Sequence, residues 1–165
     1  MTQSHHPLLM RHIGKAAILD SNLLLLYWCA EFDPTLVKRF KRLNSFGETD
    51  FELLSETLKV FSELRTTPHV LTEVSNLANS LPGHLKDDWS EHFANRVRLI
   101  PEEWTSATTI VASPLIWLGL TDAALATLAT MHVILTIDFA LSNALASQGL
   151  NVINFNYLRG FDSNE

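Results

Sequence analysis

The chain has 165 residues, 47% of them hydrophobic and 18% charged, with a net charge of -6. Those values fit one folded domain with a substantial core and exclude a disordered chain. Twelve Lys and Arg against eighteen Asp and Glu exclude nucleic-acid binding by overall positive charge and leave only a local basic patch, while the single cysteine, Cys29, excludes an internal disulfide or Cys-rich zinc site and fits a reducing cytoplasm.

Residues 1–14 read as an N-terminal tail without the continuous apolar stretch or cleavage site of a signal peptide, and His5-His6 belongs to that tail rather than to a metal site. Lys15 to Leu19 read as a short buried strand. Asp20-Ser21-Asn22 then forms a strand-to-helix turn in which Ser21 or Asn22 caps the next helix, Leu23 to Glu31, which ends before Asp33-Pro34. Thr35 to Leu43 sets Lys38, Arg39, Lys41 and Arg42 between apolar positions. These cations are weak candidates for holding a phosphate backbone, against the plainer reading of a solvated helix face. Asn44 to Thr49 is the flexible link of this half. From Asp50, the residues Phe51, Leu54, Leu58, Phe61 and Leu64 fall at helical spacing, so about 35–66 reads as a helical insertion.

Thr67-Pro68 is an N-cap followed by proline at the first helical position, and predicts a helix to about Leu81, before Pro82-Gly83. Leu85 to Asn95 reads as another helix and Val97 to Ile100 as a short strand. Trp104 to Val111, Pro114 to Leu118 and Thr121 to Thr130 read as helical. Val133 to Ile137 is a second buried strand, Phe139 to Ser147 a helix closed by Gly149, Val152 to Phe155 a last strand, and 161–165 a C-terminal tail. The longest apolar runs, Leu23 to Ala30 and Pro114 to Leu120, fall far short of the ~20 residues of a membrane span, so a cytoplasmic chain with no membrane partner is expected. Strands separated by helices predict a single α/β domain over 15–160, three α-β-α layers around a mostly parallel central sheet.

Four acids sit in unusually apolar company. Asp20 and Asp138 each follow a predicted strand, Asp122 follows Gly119-Leu120-Thr121, and Glu73 lies mid-helix. Carboxylates beside buried surface are costly unless paired, hydrogen-bonded or bound to a cation, and parallel sheets bind ligands beyond the carboxyl ends of their strands. Taken singly, Asp20 and Asp138 read equally well as helix caps, Asp122 as a first-turn acid favoured by the helix dipole with Thr121 as its cap, and Glu73 as a surface residue. Together they predict an oxygen-ligand site for Mg2+ or Mn2+ that activates water for attack on a phosphodiester. Ser21, Asn22, Asn76 and Thr136 are placed to orient those ligands, or simply to cap and turn. The sequence has no P-loop, no G-x-S-x-G elbow and no zinc-ligand spacing among its seven histidines.

Ile18-Leu19-Asp20-Ser21-Asn22, Thr67 to Glu73, Gly119 to Ala123 and Thr136-Ile137-Asp138, in that order, resemble the PIN domain family of metal-dependent nucleases, which includes VapC-type toxins. The resemblance spans about Ala16 to Phe155. It implies Asp20, Glu73, Asp122 and Asp138 as catalytic metal ligands, RNA as substrate and, for the toxin branch, an antitoxin protein as partner. The 35–66 stretch is longer than in compact toxin-type members and reads as a substrate clamp, a homodimer surface or a partner-binding surface. A different class of reading is a catalytically silent PIN-like module that binds RNA or protein. An aspartate-phosphorylated receiver domain fits poorly, because no Lys occurs beyond Lys86.

Overall fold

The computed structural model describes residues 6–160. Its elements run α1 (Pro7–Met10), β1 (Ala17–Leu19), α2 (Ser21–Phe32), α3 (Leu36–Arg39), α4 (Asp50–Leu58), β2 (Leu64–Arg65), α5 (Pro68–Ala78), α6 (Lys86–Leu99), α7 (Ala107–Val111), α8 (Leu120–Leu128), β3 (Val133–Thr136), α9 (Phe139–Ser147), β4 (Val152–Asn154) and α10 (Phe155–Arg159), with short 3-10 turns at Lys41–Leu43, Gly83–Leu85 and Ile116–Leu118.

The four strands form one all-parallel sheet in the order β2-β1-β3-β4. Residues of β1 and β3 are buried throughout, which is why both read as continuous apolar runs rather than as alternating patterns. Helix α2 packs against β1 and β3, and α9 against β3 and β4. The β1-to-β2 and β3-to-β4 crossovers run in opposite directions across the sheet, so right-handed connections put their helices on opposite faces. The result is the expected three-layer α/β architecture. Leu23 to Leu26, Trp28 and Cys29 of α2 are all essentially inaccessible, and α2 is apolar all round because helices and sheet enclose it. Burial pushes the Cys29 thiol up to about 12. Among the described residues no helix is long and apolar enough to cross a membrane.

Local signals set several boundaries. The Thr67 hydroxyl accepts from the Val70 N–H and Pro68 opens α5, as predicted; Gly149 takes φ +68 just after α9. Other elements depart from expectation. The predicted strand at Val97 to Ile100 is the last turn of α6, with Ile100 N–H bonded to the Arg96 carbonyl and Leu99 75% exposed. The β-branched Val97 is overridden by helix propagation and by its packing on the core. The helix predicted from Asp50 to Leu64 stops at Leu58, and Leu64-Arg65 becomes the edge strand β2 paired with Ala17 and Ile18. Two residues carry no periodicity that could reveal them. Thr35 to Leu43 breaks at Phe40 into α3 and a 3-10 turn. Helix α10 was not foreseen. Of the stretch set apart as an N-terminal tail, residues 6–14 carry α1 with Leu9 fully buried; His5 and residues 161–165 lie outside the described residues.

Candidate functional site

The strand order reverses between β1 and β3, and the crevice outside their carboxyl ends is where an open α/β sheet receives ligands. Asp20 follows β1 and Asp138 follows β3, so both stand at this switch point. Glu73 of α5 and Asp122 in the first turn of α8 join them around a pocket of about 180 Å³, whose wall also includes Ser21, Asn22 and the turn Leu118 to Thr121. All four predicted acids thus line one cavity, and no Lys or Arg lies among its lining residues.

Asp20 is buried and its carboxylate is fully engaged. Oδ1 accepts from the Leu23 N–H at 2.8 Å, capping α2, so the cap is Asp20 itself rather than Ser21 or Asn22. Oδ2 accepts from the Thr136 hydroxyl at 2.5 Å and from the Ile137 N–H at 3.0 Å. The Thr136 hydroxyl in turn accepts from the Asp138 N–H at 2.9 Å. One side chain thereby links the ends of the two central strands. Burial raises the Asp20 pKa above the usual carboxylate range, opposed by these three donors and reinforced by the nearby Asp138 charge.

Asp138 caps α9 through Oδ1, accepting from Leu141 N–H at 3.0 Å. Glu73 is held by two hydroxyls: Ser21 donates to Oε2 and Thr121 to Oε1, each at 2.6 Å. Thr121 therefore does not cap α8. The N-cap of that helix is Gly119, whose φ of +103 turns the chain into the pocket wall at a value L side chains rarely adopt. Asp122 makes no side-chain hydrogen bond among the described residues, and its carboxyl is pushed up to about 7, first by burial and then by the charges of Asp138, Asp20 and Glu73. The four acids are electrostatically one cluster.

The four polar residues expected to support them separate into two groups. Ser21 and Thr136 hydrogen-bond directly to the acids, and Asn22 lines the pocket. Asn76 is exposed and its side chain joins none of the four acids. Thr121 as the second clasp on Glu73 was missed; its only signal in sequence is its place beside Asp122. Thr136→Val is expected to destabilise the fold by about 1–3 kcal/mol in urea unfolding, because it leaves the Asp138 N–H without its acceptor and removes a donor from buried Asp20.

Among the described residues no three Asp, Glu, His or Cys side chains close into a ready-made ligand group. Ser21 and Thr121 each hold one oxygen of Glu73, and three donors hold Asp20. The donor chemistry nonetheless fits a hard divalent ion: carboxylate and hydroxyl oxygens with the Asn22 carboxamide, mutually repelling negative charge, and an Asp122 carboxylate with no hydrogen-bond donor among the described residues.

Next to this pocket, and sharing Asn22 with it, lies a larger groove of about 650 Å³ lined by Arg39, Phe40, Lys41, Arg42, Asn44, Leu77, Ser80 and Pro82. Three of the four predicted cations are here. Lys38 is not: it pairs with Glu48. Arg39 pairs with Asp33 at 3.2 Å, whereas Lys41 and Arg42 are exposed without an ion pair among the described residues. Leu36, Val37, Phe40 and Leu43 are buried beneath them, which fixes this segment's basic face outward. Comparison with protein-family models, curated proteins and solved structures finds no match for this chain.

Proposed function

We propose that the chain is a divalent-metal-dependent endoribonuclease, in which Asp20, Glu73, Asp122 and Asp138 hold Mg2+ or Mn2+. The observation that carries the reading is the convergence of four sequence-distant carboxylates on one small pocket at the switch point of a parallel sheet, with no cationic side chain to neutralise them. A divalent ion bound there supplies a water of lowered pKa and stabilises charge on phosphodiester oxygens. The chain's own contribution is placement. Thr136 fixes Asp20 against β3 and accepts from the Asp138 N–H, while Ser21 and Thr121 hold Glu73 from two helices. The groove beyond Asn22 offers Lys41 and Arg42 to a phosphate backbone despite the negative net charge. The choice of RNA over DNA rests on the PIN resemblance alone, since nothing in the residues separates the two.

The test is cleavage of a mixed-sequence single-stranded RNA with Mn2+, Mg2+ or chelator, wild type beside Asp138→Asn. Asn caps a helix as well as Asp does, so this variant keeps α9 and removes only charge. Cleavage that needs the metal and is lost in the variant supports the reading; equal cleavage by both proteins, or cleavage in chelator, overturns it. A second reading, a silent binding module, is favoured by one observation: the oxygens of Asp20 and Glu73 are already satisfied by internal donors. It requires RNA binding with no turnover under either metal.

A further inference from the structure

Two exposed aromatic rings, one of them next in sequence to an acid of the pocket, have no part in the core. Phe139 directly follows Asp138 at the first position of α9 and is 51% exposed; Tyr157 of α10 is 52% exposed. Their rings meet edge to face, with centroids 6.2 Å apart and planes at 73°.

The backbone beneath the pair is well anchored. Asn156 donates to the Ile137 carbonyl at 2.9 Å, tying α10 to the turn that carries Asp138. Arg159 donates to the Ser45 carbonyl at 2.8 Å and lies 2.9 Å from Asp50, tying the far end of α10 to the segment that follows Arg42 and Asn44. Helix α10, which carries Tyr157, is therefore fastened at one end to the turn that carries Asp138 and at the other to the segment after Asn44. Phe139 and Tyr157 lie on helices that leave the carboxyl ends of β3 and β4, the edge on which the acid pocket stands, and the groove with Lys41 and Arg42 shares Asn22 with that pocket.

We infer that Phe139 and Tyr157 form a stacking platform for an unpaired base of a single-stranded nucleic acid whose phosphates lie against Lys41 and Arg42. This rests on the nuclease reading for the location of the scissile bond, and adds a determinant of substrate form. A duplex keeps its bases stacked on one another and offers no free π-face, whereas a single strand presents one at every nucleotide. Charge complementarity supplies the rest: two exposed cations without ion pairs in a groove of about 650 Å³, on a chain of net charge -6, favour a polyanion over an acidic or neutral surface.

The test separates binding from cleavage. Fluorescence anisotropy of a short labelled RNA single strand, its duplex form and the same strand carrying one abasic residue is measured in chelator for wild type, Phe139→Ala, Phe139→Tyr, Tyr157→Ala and the double variant Lys41→Ala/Arg42→Ala. Phe139→Ala is expected to weaken single-strand binding about tenfold, leave the weaker duplex binding unchanged, and leave the salt dependence unchanged, with Phe139→Tyr restoring affinity. The Lys41/Arg42 double variant is expected to flatten the slope of log affinity against log salt by about 1. Unaltered circular dichroism of each variant establishes folding. Equal affinity of wild type and Phe139→Ala for the single strand, preference for the duplex, or no binding of any oligonucleotide overturns the platform. Wild-type protein that binds as described yet never cleaves would sink the nuclease reading and leave the platform standing; cleavage unaffected by Phe139→Ala at low substrate concentration would do the reverse.

Discussion

Asp122→Asn is expected to abolish metal-dependent cleavage, by at least about a hundredfold, and at the same time to make the metal-free protein more stable at pH 8. The two effects have one origin. Burial and the charges of Asp138, Asp20 and Glu73 raise the Asp122 carboxyl from 3.8 to about 7. A raised carboxyl binds its proton more tightly in the folded chain than in the unfolded one, so the contribution of Asp122 to stability is greatest below about pH 4, falls as pH climbs toward 7, and is level above. At pH 8 the ionised Asp122 meets the repulsion that Asp138, Asp20 and Glu73 exert on its charge. Neutral Asn removes that charge and strands no donor, because the Asp122 side chain accepts no hydrogen bond among the described residues. Asp122 is partly exposed and screened by solvent, so the gain is about 1 kcal/mol, or about 2–4 °C in Tm for a chain of this size. Thermal unfolding between pH 5 and 8 in chelator should show a sloping wild type and a flatter variant. Mg2+ at pH 8 should then raise the wild-type Tm and move the variant much less. A variant less stable than wild type at pH 8 would remove the electrostatic account of the pocket.

Asp20→Asn is expected to cost about 2–3 kcal/mol of stability, a large share of what a domain of this size has to lose. From sequence alone, Asp20→Asn at a strand end is expected to leave the fold intact. The structure says otherwise: Leu23 N–H, Ile137 N–H and the Thr136 hydroxyl all donate to this carboxylate. An amide can cap α2 through its oxygen, but its NH2 then confronts the Ile137 N–H, leaving a buried donor without an acceptor. Urea unfolding measures the loss as a lower midpoint at unchanged slope. The variant is for that reason a poor probe of chemistry, since lost cleavage and lost structure arrive together. A midpoint equal to wild type would mean that this hydrogen-bonded bridge does not support the sheet.

Much of the site was legible because the residues that build it obey local rules. A buried β-branched or leucine-rich run ended by Asp is a strand followed by a capped turn, and Asp20 and Asp138 announced both the strand ends and the crevice between them. Gly119 before Leu120-Thr121-Asp122 marked a turn entering a helix. What stayed hidden was everything decided by partners far away in the chain. Leu64-Arg65 is a strand only because β1 lies beside it, and Val97 to Ile100 is helical because α6 continues. That Thr121 serves Glu73 rather than its own helix depends on a contact between α5 and α8 which no periodicity encodes. Likewise Lys38 and Arg42 look alike in sequence, and only the position of Glu48 separates the neutralised cation from the free one.

The bridge from Asp20 to Thr136 and Ile137 also sets when this protein can acquire its acid pocket. Its halves are 116 and 117 residues apart, and β1 sits in the middle of the sheet between β2 and β3. During synthesis the amino-terminal half can collapse around α2, but β1 has no neighbour on its other side, and Asp20 no partner across the crevice, until β3 has emerged. Long-range closures of this kind come late in folding. Until the chain through Ile137 and Asp138 is made, Asp20 lacks two of its three donors. The pocket exists only once β3 and the turn after it are in place.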